Sequence, residues 1–199
     1  MLPTIGIIVP MKGDLEHLTK CLEFIEKYTL SKYHLVIVSY EKGVQTSISP
    51  HDGNANITWV KSGVSMGDGM ESARKLLVKQ HPLFVYIVSS EVRVSRNWDW
   101  YLEEIALNAP RDWVGVESYS VRWDGRDSSF VFSNPAKSEI TYDSGNNYQR
   151  LSKFDFTCVL LNPKVVQGTP SFKLDLNKFW KEKFDWVFYR TRNVEVIKD

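Results

Sequence analysis

The sequence predicts an α/β chain: a mostly parallel central sheet with helices on both faces, and a smaller mixed β region in the C-terminal half. Three observations predict it. Apolar runs of four or five residues at 5–9, 35–38 and 84–88 alternate with stretches whose apolar residues recur every third or fourth position. Such runs suit strands buried on both faces, and such spacing marks one-faced helices. The connections between them are short, as sequential strand–helix–strand units require.

Each element follows from its residues. Residues 5–9 form the first strand. Asp14 is placed to cap a helix over 14–28, in which Leu15, Leu18, Leu22 and Ile25 share a face. Strands follow at 35–38 and 57–60, then a helix at 69–80 with Met70, Ala73, Leu76 and Leu77 on one side. After the strand at 84–88, Asn97 is placed to cap a helix carrying Trp98, Tyr101, Leu102 and Ile105. A strand at 113–119 precedes a polar stretch, 122–153, with short strands expected at 130–132 and 140–142. So long an irregular stretch in a compact domain marks a functional or disordered element. The core resumes at 156–161, and a helix is expected over 174–190, rich in Phe and Trp. No repeat or second domain interrupts residues 1–199, which divide near residue 110 into two halves.

With 43% hydrophobic and 13% aromatic residues in 199, the chain can bury roughly 70% of its unfolded surface. Twenty-five basic and 24 acidic residues nearly cancel, so no global field draws it to nucleic acid or membrane. Cys21 and Cys158, the two cysteines, both fall in apolar contexts and read as buried, reduced thiols. The N-terminus reads as a strand rather than a signal peptide, and no apolar segment approaches the ~20 residues of a membrane span. A cytoplasmic protein is expected.

In open α/β sheets ligands bind beyond the carboxyl ends of the strands, here the loops after Val9, Val38 and Val88. These loops lack Gly-x-Gly-x-x-Gly and P-loop patterns, zinc-ligand spacing and a nucleophile elbow. Gly67-Asp68-Gly69 before a helix fits either turn chemistry or a phosphate site. Carboxylates remain. Glu91, where the 84–88 strand emerges, is either a solvated loop residue or a ligand for Mg2+ or Mn2+, which take oxygen donors and share them with substrate phosphates. Asp185, between Phe184 and Trp186, is either a surface residue or a partly desolvated base.

The order of these features resembles the GT-A-type, Rossmann-like glycosyltransferases, in particular the "family 2" group of inverting enzymes. Residues 5–10 look like the opening strand ending in proline, and Cys21-Leu22 like its "cysteine-leucine" helix. Gly67 and Ser72-Ala73-Arg74 resemble the glycine…alanine-arginine helix start, and residues 85–98 the strand, Asp-x-Asp motif and tryptophan helix. More loosely, residues 155–161 look like the strand near the acceptor site, and Phe184-Asp185-Trp186, with Arg190 and Arg192, like the Glu-Asp-Trp segment. The likeness covers residues 4–107 closely and 154–192 loosely.

The motifs depart from the family pattern. Ser89-Ser90-Glu91 replaces Asp-x-Asp. Ser39-Tyr40 replaces paired aspartates, with Glu41 one residue later, and Phe184 replaces the glutamate of Glu-Asp-Trp. Each change removes negative charge, which lowers metal affinity or lets Lys12, Arg74 or Arg93 offset the pyrophosphate.

The resemblance implies transfer of a hexosyl or pentosyl group from a nucleoside-diphosphate sugar to an acceptor hydroxyl, with inversion. Pro10, Met11 and Lys12 would border the base and Glu41 would meet base or ribose. Gly67, Arg74, Ser89 and Ser90 would line the donor site, Glu91 would hold Mg2+ or Mn2+, and Asp185 would act as base. The acceptor could be a glycan, a lipid-linked sugar, a protein or modified nucleic acid. A nucleotide- or sugar-binding module with weakened catalysis is the alternative, and a nucleotidyltransferase a more distant one, since Met11-Lys12-Gly13-Asp14 is too short for its lysine loop.

Overall fold

A computed structural model describes residues 4–11, 15–39, 55–61, 65–80, 82–108, 113–123, 130–131, 148–151, 153–184 and 187–198. In chain order the elements are β1 (Thr4–Pro10), α1 (Leu15–Tyr28), β2 (Lys32–Ser39), β3 (Ala55–Lys61), α2 (Met66–Val78), β4 (Val85–Val88), β5 (Val92–Val94) and α3 (Trp98–Leu107). There follow β6 (Trp113–Trp123), β7 (Phe130–Val131), β8 (Tyr148–Leu151), β9 (Cys158–Leu161), α4 (Pro163–Gly168), α5 (Leu176–Lys183) and β10 (Val187–Lys198).

Among the described residues the ten strands join one sheet, whose main path runs β3-β2-β1-β4-β9-β6-β10-β5. Strands β3, β2, β1 and β4 are parallel. Strand β9 is antiparallel to both β4 and β6, so β6 points the same way as β4, and β10 runs parallel to β6. The expected mostly parallel sheet is therefore present, with antiparallel strands β7, β8 and β9 in the C-terminal half and one, β5, in the first half, where it runs antiparallel to β10.

The pleat sends Ile5, Ile7 and Val9 to one face, with Leu35, Ile37, Tyr86 and Val88. There they meet Leu18, Cys21, Leu22 and Ile25 of α1 and Trp98, Leu102 and Ile105 of α3. Ile8, Val36, Val38, Val85 and Ile87 face the other way, onto α2, α4 and α5 through Met70, Ala73, Leu77, Val165, Val166 and Trp180. Strands covered on both faces must be apolar throughout, which is why those runs do not alternate.

Three expectations need correction. The helix predicted over 174–190 ends at Lys183: Phe184 is already extended (φ −115°, ψ 120°), and β10 begins at Val187. A strand built largely of β-branched and aromatic residues there pairs with β6 over much of its length, and that tertiary pairing overrides the helical reading. Asn97 precedes α3 but makes no capping bond, because its backbone is left-handed (φ 58°). Helix α2 begins three residues earlier than predicted, since Ser65 Oγ accepts from Asp68 N at 3.2 Å, placing Gly67 and Gly69 inside the first turn. Strand β5 and helix α4 were not anticipated. The cap at Asp14 and the strand at 140–142 fall outside the described residues.

Candidate active site

The carboxyl ends of β1, β2, β3 and β4 share one edge, where the chain leaves the sheet at Pro10, Ser39, Lys61 and Val88. Strand β9 runs the other way, so residues 155–157 arrive at this edge too.

Beyond β4 the chain makes a tight turn. Val92 N donates to Ser89 O at 3.2 Å, so Ser90 and Glu91 are its central residues. Ser89 Oγ accepts from Glu91 N at 3.4 Å, a serine bonding two residues ahead. The turn is anchored from outside: Ser89 N donates to Thr157 O at 2.8 Å, and the buried Cys21 thiol donates to Ser89 O at 3.6 Å. Ser89 and Ser90 are buried, whereas Glu91 is half-buried. The turn thus holds its serines inside and leaves Glu91 the less buried residue where β4 ends.

Other expected residues divide by location. Pro10 and Met11 reach the same edge, but the Met11 side chain packs into the α1-side core and its N–H donates to Val38 O at 2.8 Å. Gly67 lies in the first turn of α2, so close to the backbone of Lys173 that an added Cβ would stand 3.3 Å from its Cα. Lys12, Glu41 and Asp185 lie outside the described residues. Arg93, on β5, sets its guanidinium over the Phe24 ring at 5.8 Å.

Arg74, expected near the pyrophosphate, has its guanidinium engaged within the protein. It is buried, forks onto Glu71 through Nε and Nη2 at 2.9 and 2.8 Å, and lies over Phe172. The guanidinium serves an internal ion pair. Burial works against the charge on Glu71, but bonds from Arg74 and from Phe172 N outweigh it and hold the carboxyl below its usual value.

Sequence reasoning missed the brace around this turn. The chain before β9 is fixed by Asp155 N donating to the buried Glu117 carboxylate at 2.8 Å, and by Asn177 bonding both Phe154 N and Phe154 O. Just after them Phe156 adopts φ 56°, a costly backbone for a bulky residue that persists only where its surroundings over-determine it. Asp155 itself is exposed. The one available signal was the position of residues 155–157 just before an apolar run.

Among the described residues no three His, Cys, Asp or Glu side chains converge on a metal position. A cage made of protein ligands is absent there. A single carboxylate such as Glu91 fits a different habit, that of Mg2+, which takes one or two carboxylates and completes its shell with water and substrate phosphate.

The architecture has solved counterparts. Over 98% of the chain it superimposes on S. aureus TarS 1-349 in complex with UDP-GlcNAc, with a TM-score of 0.67 and 12% identity. Over 99% it superimposes on GalNAc-T7 crystallised with UDP, GalNAc and Mn2+, with a TM-score of 0.65 and 11% identity. The chain has a GT-A fold. It spans 59% and 44% of those two chains, and at such identities the likeness establishes the fold alone. No family model and no curated protein matches the sequence. Within the GT-A frame the Ser89–Glu91 turn closes the central strand β4, and among the described residues no helix is long and apolar enough to cross a membrane.

Proposed function

We propose that this protein transfers a sugar from a nucleoside-diphosphate sugar to an acceptor hydroxyl with inversion at the anomeric carbon. The observation that carries the reading is Glu91: a half-buried acidic residue in a doubly anchored turn, where the central strand β4 leaves a GT-A sheet. Glu91 would hold Mg2+ or Mn2+, and a bound divalent ion neutralises charge developing on the departing diphosphate. Pro10, Met11 and Lys12 border the base, Glu41 meets base or ribose, and Gly67, Ser89 and Ser90 line the donor site. Arg74 is left out because its guanidinium is engaged with Glu71.

Asp185 accepts the acceptor's hydroxyl proton. The acceptor oxygen then bonds to the anomeric carbon as the bond from that carbon to the diphosphate oxygen breaks on the opposite face. The acceptor would be a glycan, a protein or modified nucleic acid, met through residues 122–153. Two cysteines buried as free thiols support a cytoplasmic setting.

Ser39 and Ser89, buried where the family pattern carries acids, favour a second reading: a nucleotide-sugar module without turnover. Titration with UDP-GlcNAc and UDP-GalNAc, with and without Mn2+, followed by a donor-hydrolysis assay, separates the two. Binding with slow hydrolysis supports transfer. Binding without hydrolysis supports the module, and absence of binding rejects both.

A further inference from the structure

Strands β4 and β9 pair from Val85 with Leu161 to Val88 with Cys158, and their ladder runs one step further, where Ser89 N donates to Thr157 O at 2.8 Å. There the two chains part. One enters the Ser89 turn, and the other bends at Phe156, whose φ is 56°. Glu91 and Asp155 each stand two residues beyond that last bond, Glu91 half-buried and Asp155 exposed. Two acidic residues therefore lie on either side of the point where β4 and β9 separate, on the edge at which open α/β sheets take their ligands.

At residues 154 and 155 the main chain is held by side chains rather than by the sheet. Asp155 N donates to the Glu117 carboxylate at 2.8 Å, Phe154 N donates to Asn177 Oδ1 at 2.8 Å, and Asn177 Nδ2 donates to Phe154 O at 3.0 Å. Glu117 is buried on β6, and Asn177 belongs to α5. A bulky residue with positive φ beside such a brace is the kind of strain that collects at ligand-binding positions.

We propose that Asp155 is a specificity-determining residue that binds hydroxyl groups of the sugar on the nucleoside diphosphate, and so selects an uncharged sugar. This rests on the nucleotide-sugar reading above, though not on turnover. Along the edge the strands follow in the order β2, β1, β4, β9, spaced by about 4.8 Å. That reading sets the base beside Pro10 and Met11 at the end of β1, and the diphosphate at Glu91 after β4. The sugar is bonded to the outer phosphate, so the next chain met in the same direction is the one that carries Asp155. An ionised carboxylate only accepts, through two oxygens, which suits two neighbouring hydroxyls of a sugar ring. Hydrogen bonds to a charged acceptor are stronger than neutral ones. The same charge repels a sugar that carries a carboxylate of its own.

The test is Asp155→Asn and Asp155→Ala, each titrated with UDP, UDP-GlcNAc and UDP-glucuronate in the presence of Mn2+. Both variants should bind UDP within about twofold of wild type and UDP-GlcNAc about tenfold to a hundredfold more weakly, the range of a lost bond to a charged group. UDP-glucuronate should bind both variants about threefold or more tighter than it binds wild type, a gain that damage to the fold does not produce. Melting temperatures should stay close to wild type, because Glu117 takes the backbone N–H of residue 155 whatever side chain stands there. Equal weakening of UDP and UDP-GlcNAc, or UDP-glucuronate binding no better than in wild type, would each overturn the role. A wild-type protein that binds none of the three rejects the nucleotide-sugar reading itself. Wild-type binding of UDP-GlcNAc that both variants retain rejects only the role of Asp155.

Discussion

Glu103 offers the clearest handle on a single titrating group. Its carboxyl is buried on α3, accepts the Tyr86 hydroxyl at 2.9 Å, and lies near Asp99, whose Oδ1 has no hydrogen-bond partner among the described residues. Burial first, and the Asp99 charge second, raise its pKa from 4.5 to about 7, with the Tyr86 bond partly opposing. The folded state therefore holds a proton that the unfolded state releases near pH 4.5. Stability attributable to this group falls as pH rises from about 4.5 to about 7, by on the order of 2–3 kcal/mol. Glu103→Gln should flatten that slope in urea titrations at pH 5 and pH 7.5; parallel pH profiles would remove Glu103 from the account. At the site, Glu91→Gln should abolish any Mn2+ enhancement of donor binding while leaving the melting temperature nearly unchanged, as for a surface substitution. Asp185→Asn should lower turnover by about 10²–10⁴ with donor affinity intact; wild-type turnover in that variant would exclude it as the base.

Among the elements, β6 and β1 show how closely the layers approach. A Cβ at Gly115 would stand 2.7 Å from Leu160 O and 3.0 Å from Phe154 Cζ, so backbone of β9 would have to shift. At Gly6 the obstacle is the end of the Leu77 side chain, 2.8 Å away, which can rotate. Gly115→Ala should therefore cost about 1–3 kcal/mol and Gly6→Ala less, read from urea midpoints at constant slope. The reverse order would mean that α2 is held more rigidly than β9. The α5–β10 junction carries a related lesson. Its aromatic run reads as a helix face in one dimension, but β10 pairs with β5, β6 and β8, and those long-range bonds decide the state.

One sheet runs through both halves of the molecule, and β10, near the end of the sequence, pairs with β5, which directly follows Glu91. Neither half can then lose its structure without exposing unpaired strands of the other. Calorimetry should show a single unfolding transition with matching calorimetric and van't Hoff enthalpies; two resolved transitions would mean separately stable halves. Both thiols should resist alkylation until that transition, because burial pushes Cys21 up to about 12 and Cys158 higher still. Early labelling of Cys21 would show that the anchor on the Ser89 turn opens below the melting point.

Short apolar runs and helical spacing predicted β1 to β4 and α1 to α3 of the first half, and the place of Glu91 where β4 leaves the sheet, because each depends on contacts close in sequence; the short β5, whose partner is β10, was missed. Tertiary structure alone decided where Arg74 points, since the Phe172 amide bonded by its partner Glu71 is 101 residues away. It likewise decided that α5 stops at Lys183, because β10 finds its partners across the sheet. Local patterns record which faces must be buried; they do not record which distant group a buried charge will meet.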